Sequence, residues 1–219
     1  MRKINVLITG INGYIAKIFD TVLLNTEYNV VTTALRGAEL EELIWDKPPD
    51  ILIHCGMPSS NDLYTDDQLK SGISTQAERL ANLCRNQKIY LIFTSSHVVD
   101  EDNTIVDNVY KQCHIEAIRD ISKIGSSGAL KYTIIKFPRV YSSEREKGLI
   151  DNLRRGTVPE SDMSKWLSYT DKEDVEDWLG NFFESFRLDN MIFDHCIQKI
   201  PNTCCNKIEE IKERYIDNV

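Results

Sequence analysis

The 219-residue sequence predicts an α/β fold, a doubly wound parallel sheet with a small C-terminal lobe, and three observations carry that expectation. Short apolar runs, several of them β-branched, alternate with segments of helical periodicity. The runs are apolar along most of their length, as strands covered on both faces must be. A glycine turn closes the first of them.

Ile4 to Thr9 is that first run, and after Gly13 the residues Tyr14, Ile15, Ile18, Phe19, Val22 and Leu23 recur at helical spacing, so the order is strand, turn, helix. Val30 to Ala34 is the second strand. A short helix over Glu39 to Trp45 is closed by Pro48 and Pro49, which cannot continue a helical hydrogen-bond ladder. Ile51 to Cys55 is the third strand, followed by a loop from Pro58 to Asp62 and a helix with the stripe Ile73, Ala77, Leu80, Ala81 and Cys84. Ile89 to Phe93 is the fourth strand. A polar loop, Asp100 to Asp107, leads to a helix whose predicted apolar edge is Ile115, Ile118 and Ile121, and Tyr132 to Phe137 is a fifth strand stopped by Pro138. Beyond Val140 the sequence is polar, basic and turn-rich as far as Ser168. A helix then opens at Asp171, with Asp174 three residues on in a capping arrangement and Val175, Trp178, Leu179 and Phe182 on one face. The tail, from about Asn190, holds an apolar patch and a charged helix over Lys207 to Tyr215.

Composition narrows the function. The chain is 42% apolar and 27% charged, the proportions of an ordinary globular protein. A net charge of −8 lacks the basic field that displaces counterions from phosphates, so no nucleic-acid partner is expected. The apolar run behind Met1, Arg2 and Lys3 is too short for a signal-peptide core and no stretch reaches membrane-spanning length, so the expected location is cytoplasmic and away from membranes. Cys55, Cys84, Cys113, Cys196, Cys204 and Cys205 are scattered, as in a reducing compartment, and His195-Cys196 with Cys204-Cys205 lacks a chelating spacing, so no metal is expected.

The segment Gly10-Ile11-Asn12-Gly13-Tyr14-Ile15-Ala16 directly follows the first strand and opens the first helix. Gly10 permits a tight turn, Gly13 lets backbone N–H groups approach a pyrophosphate, and Ala16 allows the helix to lie close to the sheet. The unmet N–H groups and the positive end of the helix dipole then favour phosphate, which makes this a Rossmann-type dinucleotide site. A site of this kind that prefers NAD carries an acidic residue at the end of the second strand; here Thr32-Thr33-Ala34-Leu35-Arg36 ends in a cation suited to a 2′-phosphate. NADP is therefore expected over NAD, the competing reading of Arg36 being a solvated surface residue. The expected division is a dinucleotide-binding domain over 1–140 and a substrate lobe with closing helices over 141–219, packed as one unit.

Thr9-Gly10-x-x-Gly13-x-x-Ala16 resembles the TGxxGxxG turn of short-chain dehydrogenases, with alanine in the last place. Asp50 to Gly56, Phe93-Thr-Ser-Ser-His-Val-Val-Asp100, Lys136 to Tyr141 and Leu167 to Val175 resemble, in order, segments of the extended short-chain dehydrogenase/reductase family of the NAD-dependent epimerase/dehydratase type. The serine strand is most similar to that of dTDP-4-dehydrorhamnose reductases. The resemblance implies that Thr9, Gly10, Asn12, Gly13, Tyr14, Ile15, Arg36, Cys55, Gly56, Thr94, Tyr110, His114, Phe137, Arg139 and Val140 contact an NADP (or NAD) cofactor. It also implies that Tyr110 exchanges the proton, with a serine orienting the substrate oxygen. One alignment chooses Ser95 for that role and another Ser96.

In the family a lysine four residues after the tyrosine lies on the same helical face and favours the phenolate. His114 stands there in this chain, and Lys111 points elsewhere. A neutral imidazole supplies little of that effect; a partly protonated one, or one donating to the cofactor ribose, would retain some. His54, inside an apolar strand, reads as a core residue, and His97 is a candidate to face substrate. Arg139, Arg145, Arg154 and Arg155 are candidate clamps for the diphosphate of a nucleotide-sugar. The implied activity is that of an NAD(P)-dependent oxidoreductase or epimerase on a nucleotide-activated sugar, reduction of a 4-keto-sugar being the specific expectation. The alternative is a catalytically impaired cofactor-binding protein with a regulatory or assembly role. The resemblance also makes a homodimer plausible.

Overall fold

The computed structural model describes residues 3–24, 26–58, 63–100, 108–186 and 195–218. The loops expected at 59–62 and 101–107, and the start of the tail at 190–194, lie outside these. The chain runs β1 (Asn5–Thr9), α1 (Tyr14–Leu23), β2 (Asn29–Thr33), α2 (Gly37–Asp46), β3 (Ile51–His54) and α3 (Asp66–Lys70), which continues through a π-helical turn into α4 (Gln76–Gln87). Then follow β4 (Tyr90–Ser96), α5 (Val109–Gly125), β5 (Tyr132–Phe137), β6 (Val140–Tyr141), α6 (Leu149–Arg154), β7 (Trp166–Asp171), α7 (Lys172–Ser185), β8 (Cys196–Lys199), β9 (Cys204–Lys207) and α8 (Ile208–Lys212).

Six strands form one parallel sheet in the order β2-β1-β3-β4-β5-β8, a Rossmann-like arrangement. Alternate residues of each strand leave by opposite faces, and this splits the core in two. Val6, Ile8, Ile51, Ile53, Ile92 and Ile135 pack with α1 and α7; Leu7, Leu52, Leu91, Phe93 and Ile134 pack with α2, α4 and α5. On the first face Phe19 of α1 meets Phe137 and Phe183 edge-on at 5.8 and 6.1 Å. Each such ring, fully buried, contributes about 1.5–3 kcal/mol.

Residues beyond 140 divide between two layers. α7 and Ile200 complete the first core and β8 the edge of the first sheet, whereas β6, β7 and β9 form a separate three-stranded sheet over Tyr141, Ile150, Leu153, Tyr169, Ile208, Ile211 and Tyr215. A boundary at 140 thus marks where the second sheet begins, while the first core continues past it.

Several local expectations are corrected. The fourth strand runs on to Ser96, three residues past Phe93. The buried stripe of α5 is Cys113, His114, Ala117 and Ile121, and Ile115 is exposed, because the helix turns its polar His114 toward the sheet. Asp171 stands at the N-cap of α7 without capping it. Its carboxylate instead pairs with Arg214 at 2.5 Å and accepts from the Cys204 thiol at 3.5 Å, tying α7 to the C-terminal segment.

Candidate functional site

The chain order reverses at β1: β2 lies on one side and β3 on the other. Doubly wound sheets open a crevice beyond the carboxyl ends of the strands at such a point. Here the turns after β1 and β3 touch. Gly10 holds φ +74, and a Cβ built there would fall 2.7 Å from the Gly56 Cα and 2.8 Å from the Cys55 carbonyl, so no side chain fits. The Gly13 N–H donates to the Gly10 carbonyl at 2.7 Å, and Gly13 then caps α1 without a side-chain acceptor. The first-turn amides of α1 thus face the crevice unclaimed by a capping side chain.

A cavity of about 520 Å³ occupies this crevice, lined by Gly10, Asn12, Gly13, Tyr14, Cys55 and Gly56, with Ala34 and the exposed Arg36 at one end. A second cavity of about 1080 Å³ adjoins it, lined by Ile15, Thr94, Ser95, Ser96, Tyr110, His114, Phe137, Arg139 and Val140. The two share Gly13, Tyr14, Cys55, Met57 and Arg145, so they form one groove with a waist at the glycine turn. Thr9 is the expected contact that lies off it. Its hydroxyl is buried, 2.8 Å from His54 Nδ1, and accepts from the Cys55 N–H at 3.2 Å, so it ties β1 to β3 beneath the crevice.

At the far end, α5 starts where Asn108 Oδ1 accepts from the Lys111 N–H at 3.1 Å, which sets Tyr110 in the first turn beside the end of β4. The two serines split between two partners. Ser96 hydrogen-bonds the Tyr110 phenol, and Ser95 Oγ lies 3.2 Å from His114 Nδ1. The rings of Tyr110 and His114 meet edge-to-face with centroids 4.6 Å apart. His114 is 2% exposed, its Nε2 has no protein partner, and burial holds its pKa down at about 4. Desolvation thus works against partial protonation near neutral pH, one of the sequence expectations. Burial likewise lifts the Tyr110 phenol above its ordinary value, against the opposing pull of the Ser96 hydrogen bond. Lys111 lines neither cavity.

His97 lines the larger cavity with its Nε2 unpartnered; burial, then Lys199, lowers its pKa, while Asp100 opposes. His54 is 2% exposed, stacks on Phe93, lines neither cavity, and is held by burial and then Arg36 at a pKa of about 4. Two of the four expected arginine clamps are engaged elsewhere. Arg154 donates to the Ser143 and Arg145 carbonyls, and Arg155 pairs with Asp151 at 3.0 Å. Arg139 and Arg145 do line the groove. Lys199 and Trp166 also line it and went unread in the sequence, because they sit on strands whose short or mixed runs carry no clear apolar period.

Among the described residues no helix is long and apolar enough to cross a membrane, and no cluster of three or more His, Cys, Asp or Glu is placed to hold a metal ion. A family model described as the NAD dependent epimerase/dehydratase family matches residues 6–178. A search of the curated proteins found no match. Similar solved structures include dTDP-4-dehydrorhamnose reductase from Bacillus anthracis in complex with NADP, at 16% identity and TM-score 0.76 over 100% of this chain and 81% of that one. They include MoeE5 in complex with UDP-glucose and NAD, at 18% identity and TM-score 0.78 over 98% and 82%. UDP-glucose 4-epimerase from Thermotoga maritima with UDP-glucose matches at 16% identity and TM-score 0.73 over 97% and 83%. At such identities the likeness shows the fold.

Proposed function

The chain belongs to the NAD dependent epimerase/dehydratase family, and from that premise we propose that it reduces a keto group on a nucleotide-activated sugar, with NADPH as cofactor. The observation that carries this reading is the buried, neutral His114 beside Tyr110. A family reaction that begins by oxidising a hydroxyl needs a phenolate to take the proton, and the burial of Tyr110, the larger influence on its phenol, opposes forming one. A reaction that begins by reducing a carbonyl needs a phenol to give the proton, and a tyrosine whose pKa is raised by burial is held in that form.

The groove fits a dinucleotide: the glycines let the turns after β1 and β3 close up beside the first-turn amides of α1, and two adjoining cavities that share five lining residues reach from Arg36 to Tyr110. Bound there, a reduced nicotinamide supplies the hydride. Tyr110 donates the proton to the carbonyl oxygen and recovers one from solvent, Ser96 fixes the phenol, and Ser95 holds His114. Arg36 at the open end, with no acidic residue at the end of β2, supports NADP over NAD. Known structures of similar fold carry NADP, NAD and UDP-glucose in their complexes, which supports a nucleotide-sugar substrate.

The test is NADPH consumption with a UDP- or dTDP-linked 4-keto-6-deoxyhexose, followed from pH 6 to pH 9. The expected rate is nearly flat over that range. The missing cation also favours a second reading, a protein that binds the cofactor without turnover. NADPH binding without consumption across both nucleotides would select that reading, and absence of binding would remove both.

A further inference from the structure

Arg145 lines the groove with no carboxylate partner among the described residues, as do Lys17, Arg36 and Lys147 of the smaller cavity, but those three are exposed whereas Arg145 is half-buried. Among the described residues Arg79, Arg119, Arg155 and Arg214 each pair with an acid, Lys172 pairs with Glu144 and Glu176, and Lys199 pairs with Asp100. Arg145 forms no such pair. One of its guanidinium nitrogens donates to the Val140 carbonyl, and the guanidinium carbon lies 5.0 Å from the centroid of the Tyr14 ring, whose own hydroxyl donates to Ser142 Oγ at 2.6 Å. Its loop neighbour Glu144 turns to Lys172 at 3.4 Å, and Glu146, exposed, makes no ion pair with it. Burial lowers the Arg145 pKa, with Tyr14 and Tyr141 opposing. A partly desolvated guanidinium with one hydrogen bond and one aromatic face has donors to spare and no counter-charge, an arrangement that favours an arriving anion.

Position selects the anion. Five residues line both cavities, and Arg145 is the charged one among them. Resting on the dinucleotide reading above, the adenosine lies toward Arg36 and the nicotinamide toward Tyr110, and the covalent order of a dinucleotide puts its diphosphate between them, at the waist. Arg139 lines only the larger cavity, where a substrate would sit.

We propose that Arg145, carried over the glycine turn by the loop that follows β6 and braced on Tyr14, is a ligand of the cofactor diphosphate. The backbone amides of α1 then hold one side of the phosphates and a side chain from the second layer of the chain holds the other. Cofactor binding thereby draws the two layers together, with Arg145 as the contact between them.

The experiment titrates NADPH, ADP, adenosine and UDP into the parent, Arg145→Met and Arg145→Lys, by calorimetry at two ionic strengths. In the parent, ADP is expected to bind at least tenfold tighter than adenosine. Arg145→Met should erase most of that preference and weaken NADPH about tenfold to a hundredfold, with adenosine and UDP unchanged and a shallower salt dependence. Unchanged adenosine binding also reports an intact fold. Arg145→Lys keeps the charge without the paired donors and should fall several-fold short of the parent, which decides the matter if the methionine variant does not fold. NADPH binding equal to the parent in either variant overturns the role of Arg145 alone. Loss of UDP binding with NADPH intact overturns it in favour of a substrate clamp. A parent that binds neither NADPH nor ADP overturns it together with the dinucleotide reading.

Discussion

At the junction of β1 and α1 the groove is made of backbone, while at the junction of β4 and α5 it is made of side chains. The first end needs two turns to touch at Gly10 and Gly56 and a helix to start at Gly13, conditions set by the fold as a whole. The second depends on the identity of single residues, and there His114 replaces a cation with a buried neutral ring. Phosphate binding by main-chain amides tolerates sequence change around it. Proton transfer tuned by one charge does not, so a change at one position can alter the protonation of a neighbouring tyrosine while the backbone end of the groove is kept.

The largest effect that separates the two ends is expected from Tyr110→Phe. Loss of the proton donor should lower the reductive rate by about 10²–10⁴-fold while leaving the NADPH dissociation constant within twofold of the parent. Equal rates in the two proteins would refute the assignment of Tyr110. Gly10→Ala acts at the other end. Its Cβ meets backbone at 2.7 Å in a left-handed conformation, so a loss of about 2–4 kcal/mol is expected in urea denaturation, with cofactor affinity falling in the same variant. A variant as stable as the parent would show that the two turns part easily.

Each end also holds one buried neutral histidine, His54 beneath the glycine turn and His114 beside the tyrosine, both with pKa near 4. An unfolded histidine titrates near 6.5, so on acidification the unfolded chain takes up protons first and stability falls between about pH 6.5 and pH 4, levelling off below. At pH 7 both are neutral when folded and mostly neutral when unfolded, so they contribute little to this slope. The expected loss is about 2–3 kcal/mol per histidine by pH 4.5, and His114→Gln should remove its share when denaturation is compared at pH 7 and pH 4.5. A variant with the full acid slope of the parent would mean that His114 gains solvent or a partner in solution.

The sheet was legible because fully buried parallel strands announce themselves as apolar runs, and β5 matches its expected span from Tyr132 to Phe137. Gly10 and Gly13 were legible because only glycine suits the turn. β8 was hidden because an edge strand is half solvated and Cys196-Ile197-Gln198-Lys199 carries one strong apolar residue. β9, with Cys204-Cys205-Asn206-Lys207, carries less still. Thr9 and Asp171 were misplaced for another reason: a motif gives a residue's position along the chain, whereas its partner, His54 for one and Arg214 for the other, comes from remote segments. Nor does the motif say that Ser95 lies beside His114 and Ser96 beside Tyr110, a pairing that comes only from packing α5 on the end of β4.

His114→Lys tests whether the difference between the two ends resides in one charge. An ammonium beside Tyr110 would favour the phenolate, and each unit by which the phenol pKa falls increases the deprotonated fraction about tenfold at a pH below it. In the parent, oxidation of the corresponding sugar alcohol with NADP should be slow at pH 7 and rise steeply with pH, because it needs a base that burial keeps protonated. In the variant the rising limb of the oxidative kcat should move to lower pH by about one unit, for a gain of roughly tenfold at pH 7, while the reductive kcat at saturation changes little and the Michaelis constants shift to keep the equilibrium constant unchanged. Initial rates in both directions from pH 6 to pH 10 supply the measurement. A variant whose oxidative pH profile coincides with that of the parent would show that the charge at position 114 does not act through the Tyr110 proton.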